Sequence, residues 1–98
     1  MLAPVRALVA ALSLLPASPL LCQSERPPEA FQLAVGLQQR GLHEEAARQF
    51  GDFLKANANH PLAAEAWYRL GTSRAELDQK DPAIEALGRA LAVAKRQG

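Results

Sequence analysis

The sequence predicts an all-α protein built of two antiparallel helical hairpins that follow an N-terminal export signal. Three observations carry that expectation. Apolar residues recur at three- and four-residue steps in four separate segments. Gly41, the stretch Asn57 to Pro61 and the stretch Asp78 to Asp81 mark the breaks between those segments. The second pair of segments repeats the first at an offset of 37 residues. With 98 residues in all, one small domain is the most the chain can build.

The first segment is read as a signal peptide, residues 1–24, leaving a domain over 25–98. Arg6 and the amino terminus supply positive charge, and the run Ala7 to Leu15 is apolar apart from Ser13. Pro16 and Pro19 follow, and Cys22-Gln-Ser24 leads into the charged Glu25-Arg26. That succession of basic start, apolar run and small-residue exit is the export pattern. A transmembrane helix would need about 18 or more apolar residues, roughly twice this run. Cleavage after Ser24 places Cys22 and Ser24 at the two small-residue positions. The alternative is lipid attachment at Cys22, although Leu21 stands where a small residue is wanted. A membrane association is expected only in that lipidated case.

The first helix is expected from Glu29 to Arg40, with Ala30, Phe31, Leu33, Ala34, Val35 and Leu37 as its apolar positions. Pro27-Pro28 suits its start and Gly41 its end. The second runs from about His43 to Ala56, with Glu44 and Glu45 in the first turn, where the helix dipole favours acids. Its stripe is Ala46, Ala47, Phe50, Phe53 and Leu54. After the turn Asn57–Pro61, the third helix spans about Leu62 to Leu77, with Ala63, Ala66, Trp67, Leu70, Gly71 and Ala75 on one side. Asp81 is expected as the N-cap of the fourth helix and Pro82 as its first residue. That helix runs to about Arg96 with the stripe Ala83, Ile84, Leu87, Ala90 and Leu91.

At the offset of 37, Phe31 aligns with Tyr68, Leu33 with Leu70, Ala34 with Gly71 and Ala46 with Ala83. Phe50 aligns with Leu87, Phe53 with Ala90 and Leu54 with Leu91. A repeat on that scale signals a solenoid unit. Trp67-x-x-Leu70-Gly71 followed by Ala83, Leu87 and Ala90 resembles the tetratricopeptide repeat. In that pattern Gly71 and Ala83 mark the closest approach of the two helices of a hairpin. The first repeat matches less well, with Ala30, Ala34 and Phe53 in place of Trp, Gly and Ala. The period exceeds the family's usual value of about 34. The longer stretch from Phe53 to Gly71 is similar to the stretched repeats of the bacterial Tol-Pal coordinator family, whose members are exported.

That resemblance implies a protein-binding module or scaffold of the periplasm or cell envelope, with no catalysis of its own. It places Phe31, Gln32, Val35, Gln38, Gln39, Glu65, Tyr68, Arg69, Thr72 and Glu76 on a concave face that would hold another protein or peptide. Trp67 it assigns to the core. Carboxylate clamps of Lys, Asn and Arg, present in some relatives, are not matched: Phe31 and Val35 occupy two of those positions and only Arg69 fits.

Composition excludes other classes. Residues 25–98 carry ten basic and ten acidic side chains, without the basic excess that phosphate neutralisation requires, so no nucleic-acid partner is expected. His43-Glu44-Glu45 lacks the second histidine of a metalloprotease helix, since position 47 is Ala47, and His60 sits in a proline turn. No metal or other cofactor is expected, and both histidines read as exposed loop residues. Glu44 with Glu45, and Asp78 with Asp81, are explained by helix starts without acid–base catalysis. Finally, the third helix alone cannot cover Ile84, Leu87 and Leu91. The sequence therefore also predicts a homodimer through the fourth helix or a longer array.

Overall fold

The computed structural model describes residues 26–98. The expected signal peptide and Cys22 lie outside the described residues. Four helices follow in order: α1 (Glu29–Gln39), α2 (His43–Ala56), α3 (Ala63–Glu76) and α4 (Lys80–Gln97). There are no strands among the described residues. Each helix packs on its neighbours in sequence, α1 also touches α3, and α4 packs on α3 alone. The result is two helical hairpins stacked side by side.

The repeat is written into the backbone as well as the sequence. Gly41 has φ +80° and Asp78 has φ +63°, and these left-handed residues stand 37 positions apart. At the first, Leu42 N–H donates to the Leu37 carbonyl (2.9 Å) and Gly41 N–H to Gln38 (3.0 Å). At the second, Gln79 N–H donates to the Arg74 carbonyl (2.9 Å) and Asp78 N–H to Ala75 (3.0 Å). Both turns are therefore the same left-handed helix cap, which satisfies the last carbonyls and reverses the chain in three residues. Glycine takes that conformation without strain, and aspartate is among the few other residues that tolerate it.

This shared geometry corrects one expectation. Because the cap is complete at Gln79, α4 begins at Lys80, as α2 begins at His43. The N-cap is Gln79, without a side-chain bond, so Asp81 falls in the first turn and Pro82 is the third helical residue. Proline is accommodated there because that N–H has no partner within the helix.

The core lies between α1, α2 and α3 and takes in Ala86 and Val93 from α4. Phe31, Phe50 and Phe53 are buried, with ring centroids 5.8 Å apart for Phe31–Phe50 and 5.6 Å for Phe31–Phe53. Ala34, Ala46, Leu54, Ala63, Ala66 and Leu70 complete it, and Trp67 packs against its edge. On α4 the stripe divides, and the three residues expected to outrun the cover of α3 are the exposed ones. Ala83, Ala86 and Val93 face inward, whereas Ile84, Leu87 and Leu91 remain exposed at 67%, 38% and 63%. The small residues go inward because α3 and α4 approach closely. A Cβ placed on Gly71 would lie 2.8 Å from Leu87 Cγ and Cδ2 and 3.2 Å from the Ala83 carbonyl oxygen.

His60 is a structural residue of the α2–α3 turn rather than a free loop histidine. Its ring meets Phe53 edge-on at 5.4 Å, and its Nδ1 accepts the Leu62 N–H at 3.0 Å. Its carbonyl accepts the Gln97 side chain at 2.9 Å, tying the end of α4 to this turn. Asn57 completes the turn by donating its side-chain amide to the Phe53 carbonyl at 3.0 Å.

Candidate interaction surfaces

Two surfaces stand out, one polar and one apolar. The polar surface lies where α1 and α3 run side by side, and Gln38 is its centre. Gln38 Nε2 lies 2.8 Å from the Arg69 carbonyl, 3.0 Å from Thr72 Oγ1 and 2.8 Å from Ser73 Oγ. An amide nitrogen has two hydrogens, so it serves two of these three acceptors at a time. Gln38 Oε1 accepts from Arg69 Nη1 at 3.0 Å, and Thr72 Oγ1 donates to the Arg69 carbonyl at 2.8 Å. Arg69 Nε also pairs with Glu65 at 2.9 Å. The network joins the two hairpins and fixes the Arg69 side chain at the surface.

The structure sorts the expected concave residues into three groups. Gln38, Arg69, Thr72 and Glu65 come together in this network. Gln39, Glu76 and Tyr68 are exposed, and Gln32 is exposed with its amide donating to the Pro27 carbonyl at 2.7 Å. Phe31 is not on the surface at all: it is 5% exposed and belongs to the aromatic core, and Val35 packs half-buried against that core. The sequence pattern misplaced Phe31 because its counterpart, Tyr68, has no third hairpin over it. Ser73, fully buried and bonded to Gln38, was not singled out as a partner. Its only sequence signal is a small polar residue on the core side of α3.

The apolar surface is a groove between α3 and α4 of about 440 Å³, lined by Ala64, Tyr68, Leu87, Ala90, Leu91 and Ala94 with Glu65 at its rim. Comparison of the hairpins explains it. Ala34 and Ala46 are buried, and so are their counterparts Gly71 and Ala83, since these positions join the two helices of one hairpin. Phe31, Phe50 and Leu54 are buried only because a second hairpin stands over the first. Their counterparts Tyr68, Leu87 and Leu91 are 56%, 38% and 63% exposed. The groove is the seat for an adjoining element, left open.

Across the outer side of the same hairpin, the Arg89 guanidinium lies 5.2 Å from the Trp67 ring centroid, joining α4 to α3. Among the described residues no cluster of three or more His, Cys, Asp or Glu is arranged to hold a metal ion. No helix there is long and apolar enough to cross a membrane.

The class these features define is an all-α repeat of stacked helical hairpins. No family model matches the chain, and no solved structure gives a significant match. Among curated proteins, the chain is similar to the peroxisomal targeting signal receptor of Yarrowia lipolytica (strain CLIB 122 / E 150), at 40% identity over 65 residues. That match covers 65% of this chain and 10% of the receptor, so the chain spans a small part of its relative's length.

Proposed function

We propose that the chain is an exported protein-interaction module of the bacterial cell envelope, without catalysis of its own. The observation that carries the reading is the open groove between α3 and α4, whose counterpart in the first hairpin is filled by a packed helix. Apolar surface of that kind is a recognition surface, and a helix is the shape it fits. The concave residues Gln32, Gln38, Gln39, Tyr68, Arg69, Thr72 and Glu76 add hydrogen-bonding groups beside it. Aromatic anchors with polar neighbours are the usual makeup of an interface. The relative is by name a receptor for a targeting signal, and recognition is the sense we carry to this chain.

Export rests on residues 1–24 and on the likeness of the long 53–71 stretch to the Tol-Pal coordinator repeats. Protein recovered outside the cytoplasm should begin at Glu25, and an intact Met1 there would refute residues 1–24 as a cleaved signal. An acyl mass on Cys22 would support a lipid-anchored form instead. For binding, a photo-crosslinking residue at Tyr68 should capture a partner in envelope extract, and one at the exposed Glu44 should not. Capture must also weaken when Leu91 is changed to Glu. Equal capture from both positions would defeat the assignment.

A second reading has its own support. The uncovered counterparts of Phe31, Phe50 and Leu54 are what a further stacked hairpin would cover, so the module also suits a place in a longer array.

A further inference from the structure

The outward face of α4 carries a pattern the single chain does not use. Asp81, Ile84, Gly88, Leu91 and Lys95 follow one another at steps of three, four, three and four. At 100° per residue they fall within an arc of about 80°, on the side away from Ala83, Ala86 and Val93. Such steps are the spacing of a two-helix seam. All five residues are exposed.

The order of residues along that seam is symmetric about Gly88. An acid stands at one end and a base at the other, with a large aliphatic residue on each side of the central glycine. We infer that a second copy of this chain docks there, with the two α4 helices antiparallel and crossing at Gly88. In that register Asp81 meets Lys95 of the other copy, Ile84 meets Leu91, and glycine meets glycine. Each contact is then made twice, as a twofold interface requires. A parallel pairing would instead set Asp81 against Asp81 and Lys95 against Lys95.

Two further facts agree. A Cβ on Gly88 would find nothing within 4 Å, so nothing inside one copy calls for glycine in the middle of this helix. At a crossing point, the missing side chain lets two backbones approach. The antiparallel arrangement also sets each helix's basic last turn, Lys95 and Arg96, beside the other's acidic first turn at Asp81. Of the five seam residues only Leu91 also lines the α3–α4 groove, so Ile84→Glu, outside that groove, tests the dimer apart from partner binding.

The test measures mass against concentration for the full chain, by light scattering or sedimentation, from micromolar to millimolar. The wild type should pass from monomer to dimer. Ile84→Glu and Leu91→Glu should remain monomeric with unchanged helical content, since both positions are exposed. Asp81→Lys and Lys95→Asp should each weaken the dimer about tenfold, and the two together should restore it, because surface pairs of this kind are each worth a fraction of that change. Gly88→Leu should weaken the dimer while raising the melting temperature. A wild type that stays monomeric throughout overturns the inference, as does a dimer indifferent to Leu91→Glu or a double swap that fails to restore. A monomer that still captures a partner at Tyr68 would sink the dimer and leave the binding function standing.

Discussion

Gly71 offers the sharpest test of the packing. The perturbation is one methyl group, Gly71→Ala, set against Gly51→Ala in α2. Both glycines are in helix interiors, where alanine gains about 1 kcal/mol of helix propensity. At Gly51 a new Cβ would meet nothing within 4 Å, so that gain should appear as added stability. At Gly71 the Cβ would lie 2.8 Å from two carbons of Leu87 and 3.2 Å from the backbone oxygen of Ala83. Leu87 is partly exposed and can swing into the groove, but the Ala83 oxygen moves only if α4 moves. Overpacking of that kind costs about 1–3 kcal/mol. The net expectation is a loss of about 0–2 kcal/mol for alanine and of at least about 3 kcal/mol for Gly71→Leu. Urea unfolding followed by circular dichroism reads both signs. The double variant Gly71→Ala/Leu87→Ala removes most of the clash, so its cost should be less than the sum of the two single changes. If Gly71→Ala stabilised the protein as much as Gly51→Ala, the close α3–α4 approach would be wrong.

Other changes test other parts of the molecule. Phe50→Ala should cost about 3–5 kcal/mol and leave little folded protein by thermal melting, because Phe50 is fully buried against Phe31. Asp78→Gly should raise stability by about 0.5–1 kcal/mol in denaturant titration, since glycine takes φ +63° without strain, and Gly41→Ala should lower it by a similar amount. Gln38→Ala should cost about 1–3 kcal/mol through the buried Ser73 hydroxyl it strands, and should speed amide exchange where α1 meets α3. His60→Ala removes the acceptor of the Leu62 N–H and the edge contact on Phe53, and should loosen the α2–α3 turn to proteolysis before the hairpins melt.

Most of the fold was legible because its signals are local. Periodicity located four helices to within one residue at every end but the start of α4, which is two residues off, and Gly41 marked its turn by the conformation only glycine adopts freely. The failure at the start of α4 is instructive. Asp-Pro is a good cap signal, yet the cap that formed belongs to the preceding helix. Asp78 closes it in the left-handed conformation that Gly41 adopts one repeat earlier. Nothing in the residue type of Asp78 announces that; only the alignment with Gly41 does. Of the expected concave residues, Gln38, Glu65, Arg69 and Thr72 come together in a network, whereas Phe31 belongs to the core. Gln38 reaches Ser73 across two helices, and that contact depends on tertiary register rather than spacing.

The inversion on α4 has a different cause, and it links fold to function. Sequence periodicity sets Ile84, Leu87 and Leu91 in one apolar stripe that the third helix alone cannot cover, and all three are exposed. The close approach of α3 and α4 decides which residues turn inward instead. With Gly71 against Leu87 and the Ala83 backbone, the helices stand close, so Ala83 and Ala86 fill the interface while Leu87 lies over Gly71 toward the groove. The large residues are displaced outward by the same close packing. A helix that holds its hairpin with alanines and carries isoleucine and leucine on its outer side has two apolar faces, and one copy of the chain covers one of them. At about 25 cal/mol per Å² of apolar surface removed from water, leaving the other bare forgoes a few kcal/mol in a domain this small. Tight packing within the second hairpin is therefore what creates the surface on which recognition or self-association can act. Widening that packing at Gly71 should disturb both the fold and whatever α4 binds.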